Sequence, residues 1–188
     1  PSGKWSLQLP GSRWRSVWTW TWSSLPPPKV RVLLWQVVHR CIRVNVLVSR
    51  FRPGVSPLCP CCGLHRETVE HCLVLCPHLQ AAWDWVMALF QVRLTSQQLL
   101  LHVYPRAWPL LRQQALHLCV AWLVWLIWKR RRLWIFQGIQ QPAASLIPRL
   151  RYKLFQCFLV FSGLAERKFA IWRDFLGIVD GDGQFVQQ

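Results

Sequence analysis

From Lys29 onward, apolar positions recur at three- and four-residue steps: Val30, Leu33, Leu34, Val37, Val38 and Cys41, then Leu47 and Val48. That spacing predicts an amphipathic helix running to about Arg43, with Pro26-Pro27-Pro28 setting its start. Trp35 and His39, four apart, are placed to stack. Upstream the period is two: Trp18, Trp20 and Trp22 alternate with Val17, Thr19 and Thr21, which suits a short strand or a loop whose indoles patch a neighbouring core. After Pro77 a helix with Leu79, Trp83, Val86, Met87 and Phe90 on its buried face is predicted. A short helix over 96–103 follows, and a long one from about Trp108 to Phe136. Pro142 and Pro148 break the next segment, and Leu150 to Trp172 read as one or two basic amphipathic helices. Asp180-Gly181-Asp182-Gly183 has part of a calcium-loop pattern but lacks its remaining acidic ligands, so it reads as a turn.

The centre of the long helix, Ala115 to Trp128, carries no formal charge and is closed by Lys129-Arg130-Arg131-Arg132. It falls short of the roughly 20 residues a bilayer span needs, which favours a buried core helix with a basic last turn over membrane association.

Charge changes the picture most. The 188 residues hold 23 Lys and Arg against 7 Asp and Glu, a formal net charge of +16, together with 14 Trp. Such a balance favours a polyanionic partner, nucleic acid first. No acidic residue occurs between Lys29 and His65, so Arg31, Arg40, Arg43, Arg50 and Arg52 are the candidates to face phosphates. Seven carboxylates, with no Asp-Asp pair in strand context, leave no two-metal polymerase or nuclease site. A non-catalytic chain is expected. The sequence opens on Pro1 with Met87 its only methionine, as a piece of something longer would. It shows no secretory leader, which points to the nucleus or cytoplasm.

Eight cysteines without a leader favour metal over disulfides. Cys59 and Cys62 form Cys-x2-Cys around a turn with Gly63 behind it. His71 and Cys76 complete Cys-x2-Cys-x8-His-x4-Cys, a closed Cys3His set suited to structural, tetrahedral Zn²⁺. Cys61 and Cys72 are extra thiols, and His65 and His78 remain alternative ligands. Thr68 is placed to cap a helix near Val69. That helix should loosen near Cys76, because a five-residue step is not one face of an α-helix. Glu67 and Glu70 either orient His71 or are simply solvated. The expected fold is mainly α: a small zinc-stapled helical module followed by long apolar and basic helices. The expected segments are a Trp/Pro-rich lead-in (1–28), a zinc-binding domain (14–90), a helical C-terminal region (91–176) and a flexible tail (177–188).

Several of these stretches, taken in order, resemble the zinc-binding domain of reverse transcriptases from LINE-type (non-LTR) retrotransposons. They are Leu25-Pro26-Pro27-Pro28-Lys29-Val30; Leu33-Leu34-Trp35-Gln36-Val37-Val38-His39; Cys59-Pro60-Cys61-Cys62-Gly63; Glu67-Thr68-x-Glu70-His71; and Cys76-Pro77 with Trp83. Trp125-Leu126-Ile127-Trp128-Lys129 and Trp134-Ile135-Phe136 are similar to the stretch that often follows. The extra thiols, the lengthened Pro27-Pro28 lead-in and Arg130-Arg131-Arg132 depart from the family pattern. The resemblance implies a region C-terminal to a polymerase, helping to hold template RNA or target DNA, with the parent enzyme as a further expected partner.

Overall fold

The structure, a computed structural model, describes residues 11–105 and 107–161. Residues 162–172 of the last expected helix, the acidic turn at Asp180 and the tail lie outside them. The described residues are mainly helical and contain no strand, only an isolated antiparallel bridge between Leu58 and Arg66.

The Trp-rich lead-in is neither strand nor loop. It forms helix α1 (Gly11–Thr21). Val17 and Thr21, four apart, are both buried, and the Thr21 hydroxyl donates to the Val17 carbonyl at 2.7 Å. Trp18 and Trp22 share another face, with ring centroids 6.0 Å apart. The Trp/Thr alternation masked a three-four repeat that packing selects.

Helix α2 (Pro28–Val38) starts where the prolines place it, with extended Pro27 as N-cap. It stops short of the expected Arg43. Arg40 turns left-handed at φ 53°, the Arg40 amide bonds to the Val37 carbonyl, and the Cys41 amide bonds to the Gln36 carbonyl. This is the six-to-one, five-to-two closure that usually calls for glycine. Trp35 stacks on His39 at 4.9 Å as expected.

A short helix α3 (Asn45–Val48) leads into the metal stretch; α4 (Gln80–Leu89) and α5 (Ser96–Leu100) follow it. Leu79, Trp83, Val86 and Phe90 are buried as their spacing predicts, and the Trp83 indole N–H donates to the Leu73 carbonyl at 2.9 Å. Helix α5 begins with a reciprocal cap between Thr95 and Gln98 and ends earlier than the spacing implies.

Helix α6 (Leu110–Gln137) is the axis of the packing, touching α2, α7 and the segment after His71. Length and composition alone would let it cross a bilayer, yet 67% of its most apolar 18-residue window is buried within the protein. Residues 115–124 are buried on every side, as in a core helix that is hydrophobic all round. Helix α7 (Leu146–Phe161) packs along it. Pro148 does not break α7, because it sits in the first turn, where its missing N–H would have had no partner.

His117 of α6 lies in a polar trio inside this core. The Tyr104 hydroxyl is 3.2 Å from His102 Nδ1 and 3.3 Å from His117 Nδ1, and Trp20 packs against Tyr104 and His117. Burial pushes His102 down to about 4 and His117 well below its ordinary value. Both imidazoles are therefore neutral in the native protein, while in the unfolded chain each titrates near 6.5. Above that pH the two states bind equal protons and stability is unaffected. Below it, only the unfolded chain takes up protons, so stability falls toward pH 4 by up to about 2.7 kcal/mol per pH unit for two sites. Denaturant midpoints measured from pH 7.5 to 4.5 should show this slope, and His102→Gln/His117→Gln should reduce it by the share of the two histidines. An unchanged slope in the double variant would refute the assignment.

Candidate metal centre

Two local structures meet at the Cys/His stretch. The first is a tight hairpin turn. The Cys59 amide donates to the His65 carbonyl at 2.7 Å, and the Gly63 amide donates to the Cys59 carbonyl at 2.8 Å. Gly63 sits at φ 67°, a conformation glycine adopts without steric cost. The turn brings Cys59 and Cys62 to one side.

The second is the segment beginning at Thr68, whose hydroxyl accepts the His71 amide at 3.1 Å, as its capping role predicts. From His71 to Leu75 the chain forms a wide π-helical turn, and the Cys76 amide bonds to the His71 carbonyl at 2.9 Å. An i-to-i+5 closure stacks residues five apart above one another. This is the physical form of the expected loosening. On an α-helix Cys76 would point away from His71; on the wider turn both face the hairpin.

The ligand atoms of Cys59, Cys62, His71 and Cys76 all lie within 4.8 Å of one another, with Cys62 Sγ 3.3 Å from His71 Nε2. A tetrahedral ion with metal–sulfur bonds of about 2.3 Å requires donors about 3.8 Å apart, so the cluster fits one four-coordinate soft or borderline cation. All four positions are filled by protein, which leaves none for a reactive water.

The electrostatics agree with a cation site. Hydrogen bonds from the Cys61 and Cys76 thiols hold Cys59 well below the ordinary thiol range, and the same bonds push Cys61 and Cys76 up. Cys62 is also lowered, burial opposing this and hydrogen bonds at Leu64 and His65 outweighing it. The protein alone thus favours thiolates at Cys59 and Cys62 and resists them at Cys61 and Cys76, and a bound cation would compensate at Cys76.

The alternative ligands have other partners or lie outside the foursome. Cys72 is buried beside the Glu67 carboxylate; burial first, and that charge second, push its thiol well up. Cys61 lies 3.9 Å from Arg130 Nη1. His65 stacks on the His71 ring with centroids 5.2 Å apart, its Nδ1 4.0 Å from Cys62 Sγ. His78 is exposed.

Neither glutamate orients His71. Glu70 pairs with Arg40 at 2.9 Å. Glu67 is fully buried and accepts both Arg131 Nε at 2.6 Å and Arg131 Nη2 at 2.5 Å. Asn45 completes this knot. Its backbone amide donates to Glu67, its side-chain oxygen accepts from Arg131 at 3.1 Å, and its side-chain amide donates to the Leu58 carbonyl at 2.9 Å. Beside it, Arg130 Nε donates to the Gln141 carbonyl at 2.6 Å. The four cations at 129–132 lie within α6, which runs on to Gln137, and not in its last turn as expected; two of them are therefore not a solvated run but a clasp on the metal module. The sequence signal was there in Glu67, a scarce carboxylate among many cations, but nothing local named its partner 64 residues away.

Of the five candidate arginines, Arg40, Arg43, Arg50 and Arg52 are exposed, and Arg31 is half-buried. Only Arg40 is in an ion pair among the described residues.

The fold and site define a small helical module built around a Cys3His cluster. Residues 3–83 match the family model described as zinc-binding in reverse transcriptase, and all four cluster residues fall inside that stretch, which is thus similar to a reverse-transcriptase-associated zinc-binding domain. No curated protein and no solved structure matches the chain.

Proposed function

We propose that Cys59, Cys62, His71 and Cys76 hold one structural Zn²⁺, and that the module so fixed binds RNA or target DNA without catalysing a reaction, as a C-terminal region of a LINE-type reverse transcriptase acting in the nucleus or cytoplasm. When bound, the ion supplies a cross-link between hairpin and π turn. The chain's own residues do the rest. Arg43, Arg50 and Arg52, on the segment that precedes the metal stretch in sequence, are exposed with no ion-pair partner among the described residues, and this observation carries the nucleic-acid reading. Desolvated guanidinium–phosphate contacts and counterion release would provide the affinity.

Four phosphate contacts to a single strand predict a log–log salt slope of about −3, so affinity should fall roughly 50-fold between 50 and 200 mM salt. Changing Arg40, Arg43, Arg50 and Arg52 together to Gln should remove most of that slope. Affinity independent of salt would refute the reading. A docking role on a parent polymerase is the second possibility, favoured by the exposure of Phe51, Leu64 and Leu75 around the metal stretch.

A further inference from the structure

We propose that a cleft beside the metal module receives one unpaired base of a single strand, and that an aromatic track at the C-terminal ends of α1 and α2 leads the strand to it. This rests on the nucleic-acid reading above and specifies which part of the ligand is recognised.

The cleft has a volume of about 210 Å³, below the roughly 300–1,000 Å³ of sites for drug-sized molecules, so its occupant is a small group. Its floor is apolar, made by Val44, Val46 and Leu47 from the start of α3. Its wall is the Thr68–Glu70 turn, and its rim carries His39, Arg40 and Arg50; Glu70 pairs with Arg40, so the net positive charge of the rim comes from Arg50. An apolar slot under a positive rim complements a flat base attached to a phosphate.

The two rim arginines differ in role. Arg40 is tied to Glu70 at 2.9 Å and is held left-handed at φ 53°, where glycine would be unstrained. The strained backbone thus carries a fixed guanidinium at the cleft's edge. Arg50 is exposed and in no ion pair among the described residues, which suits it to the phosphate.

The aromatic track is a second, independent observation. Trp22 lies 6.0 Å from Trp18, and Trp18 lies 5.8 Å from His39, so the series of rings ends on a residue of the cleft rim. Trp18 is 43% and Trp22 48% exposed. Successive rings at such spacing beside cations make a sequence-tolerant stacking platform for unpaired bases. The wall also links cleft to metal, since the Thr68 hydroxyl that caps the His71 amide belongs to both.

The test uses the zinc-loaded full chain with two strands of equal length and charge, one bearing bases and one wholly abasic. The base-bearing strand should bind about tenfold or more tightly, within the range of stacking contacts. Leu47→Trp, which fills the cleft, should shrink that ratio without altering the salt slope, and Trp18→Ala should shrink it further. A 4-thiouridine strand photo-cross-linked to the unmodified protein should map to residues 44–50 or 68–70, a result that does not depend on any variant folding. Equal binding of the two strands with a steep salt slope would overturn the cleft and leave the phosphate reading standing. An unchanged ratio in Leu47→Trp, or cross-links confined elsewhere, would likewise overturn the cleft. Failure of both strands to bind would remove the nucleic-acid reading itself.

Discussion

Chelating the metal is expected to unfold the segment from Pro57 to Leu79 and to loosen its grip on α6. The hairpin turn and the π turn each close few backbone hydrogen bonds of their own, and neither is long enough to be stable alone. A structural zinc site supplies apparent binding energy of about 10–16 kcal/mol at neutral pH, comparable to or greater than the roughly 5–15 kcal/mol net stability of an ordinary domain. Losing it should therefore abolish amide-exchange protection throughout that segment, while the Ala115–Val124 core of α6 keeps more of its protection. Replacing any one of Cys59, Cys62 or Cys76 by Ser, or His71 by Ala, should weaken metal binding by more than the 10–100-fold typical of residues that merely support ligands. Acid should act in the same direction, because protons compete with the metal for three sulfurs and one imidazole. Cys61→Ser and Cys72→Ser should retain the metal. Protection that survives chelation unchanged would contradict the cross-link.

Breaking the buried clasp is the second large effect. Glu67 and Arg131 are both almost wholly inaccessible, with side chains 1% and 5% exposed. Two charges in that setting are costly to bury, and their attraction roughly offsets the cost; stranding one without the other is what destabilises. Arg131→Met alone should thus cost about 3–5 kcal/mol by leaving the Glu67 carboxylate unpaired. The double change Glu67→Leu/Arg131→Met should recover part of that loss. Recovery should stay incomplete by about 1–3 kcal/mol, because the Asn45 amide, which donates to Glu67, then loses its acceptor. A denaturant cycle across the four proteins measures this coupling. Additive effects of the two changes would show that the pair does not act as a unit.

The clasp also explains why the module extends past the family-matched residues. Residues 3–83 contain the metal ligands and Glu67, but Arg130 and Arg131 come from α6. The ion pair thus joins the family-like part to a helix the sequence marked only as apolar with a basic end.

Much of this was legible in the letters. The Cys-x2-Cys and His-x4-Cys spacings converge as expected because metal geometry leaves few ways to use them. The start of α2 was marked by Pro27-Pro28, a local signal, and α5 starts at Ser96, where the short helix over 96–103 is expected. Helix ends were harder to read. Those of α2, α4 and α5 pass through Arg40, Gln91 and His102 at positive φ, where glycine is the usual residue, whereas α6 does end on a glycine, Gly138. The Trp-rich lead-in misled because its alternation by type hid the positions buried at helical spacing, Val17 and Thr21. The fates of Glu67, Arg130 and Arg131 were illegible for a different reason. Whether a charge is solvated or locked depends on what tertiary packing brings opposite it, and that partner lies far along the chain.

On the function proposed above, one ion joins the hairpin to the π turn through four specific side chains. Mass spectrometry under native conditions reads this directly on the purified chain. A mass excess of one zinc per chain is expected, lost on replacing Cys59, Cys62, His71 or Cys76 singly and kept on replacing Cys61 or Cys72. A chain that carries no metal, yet retains its helices and its amide protection in chelator, would contradict it.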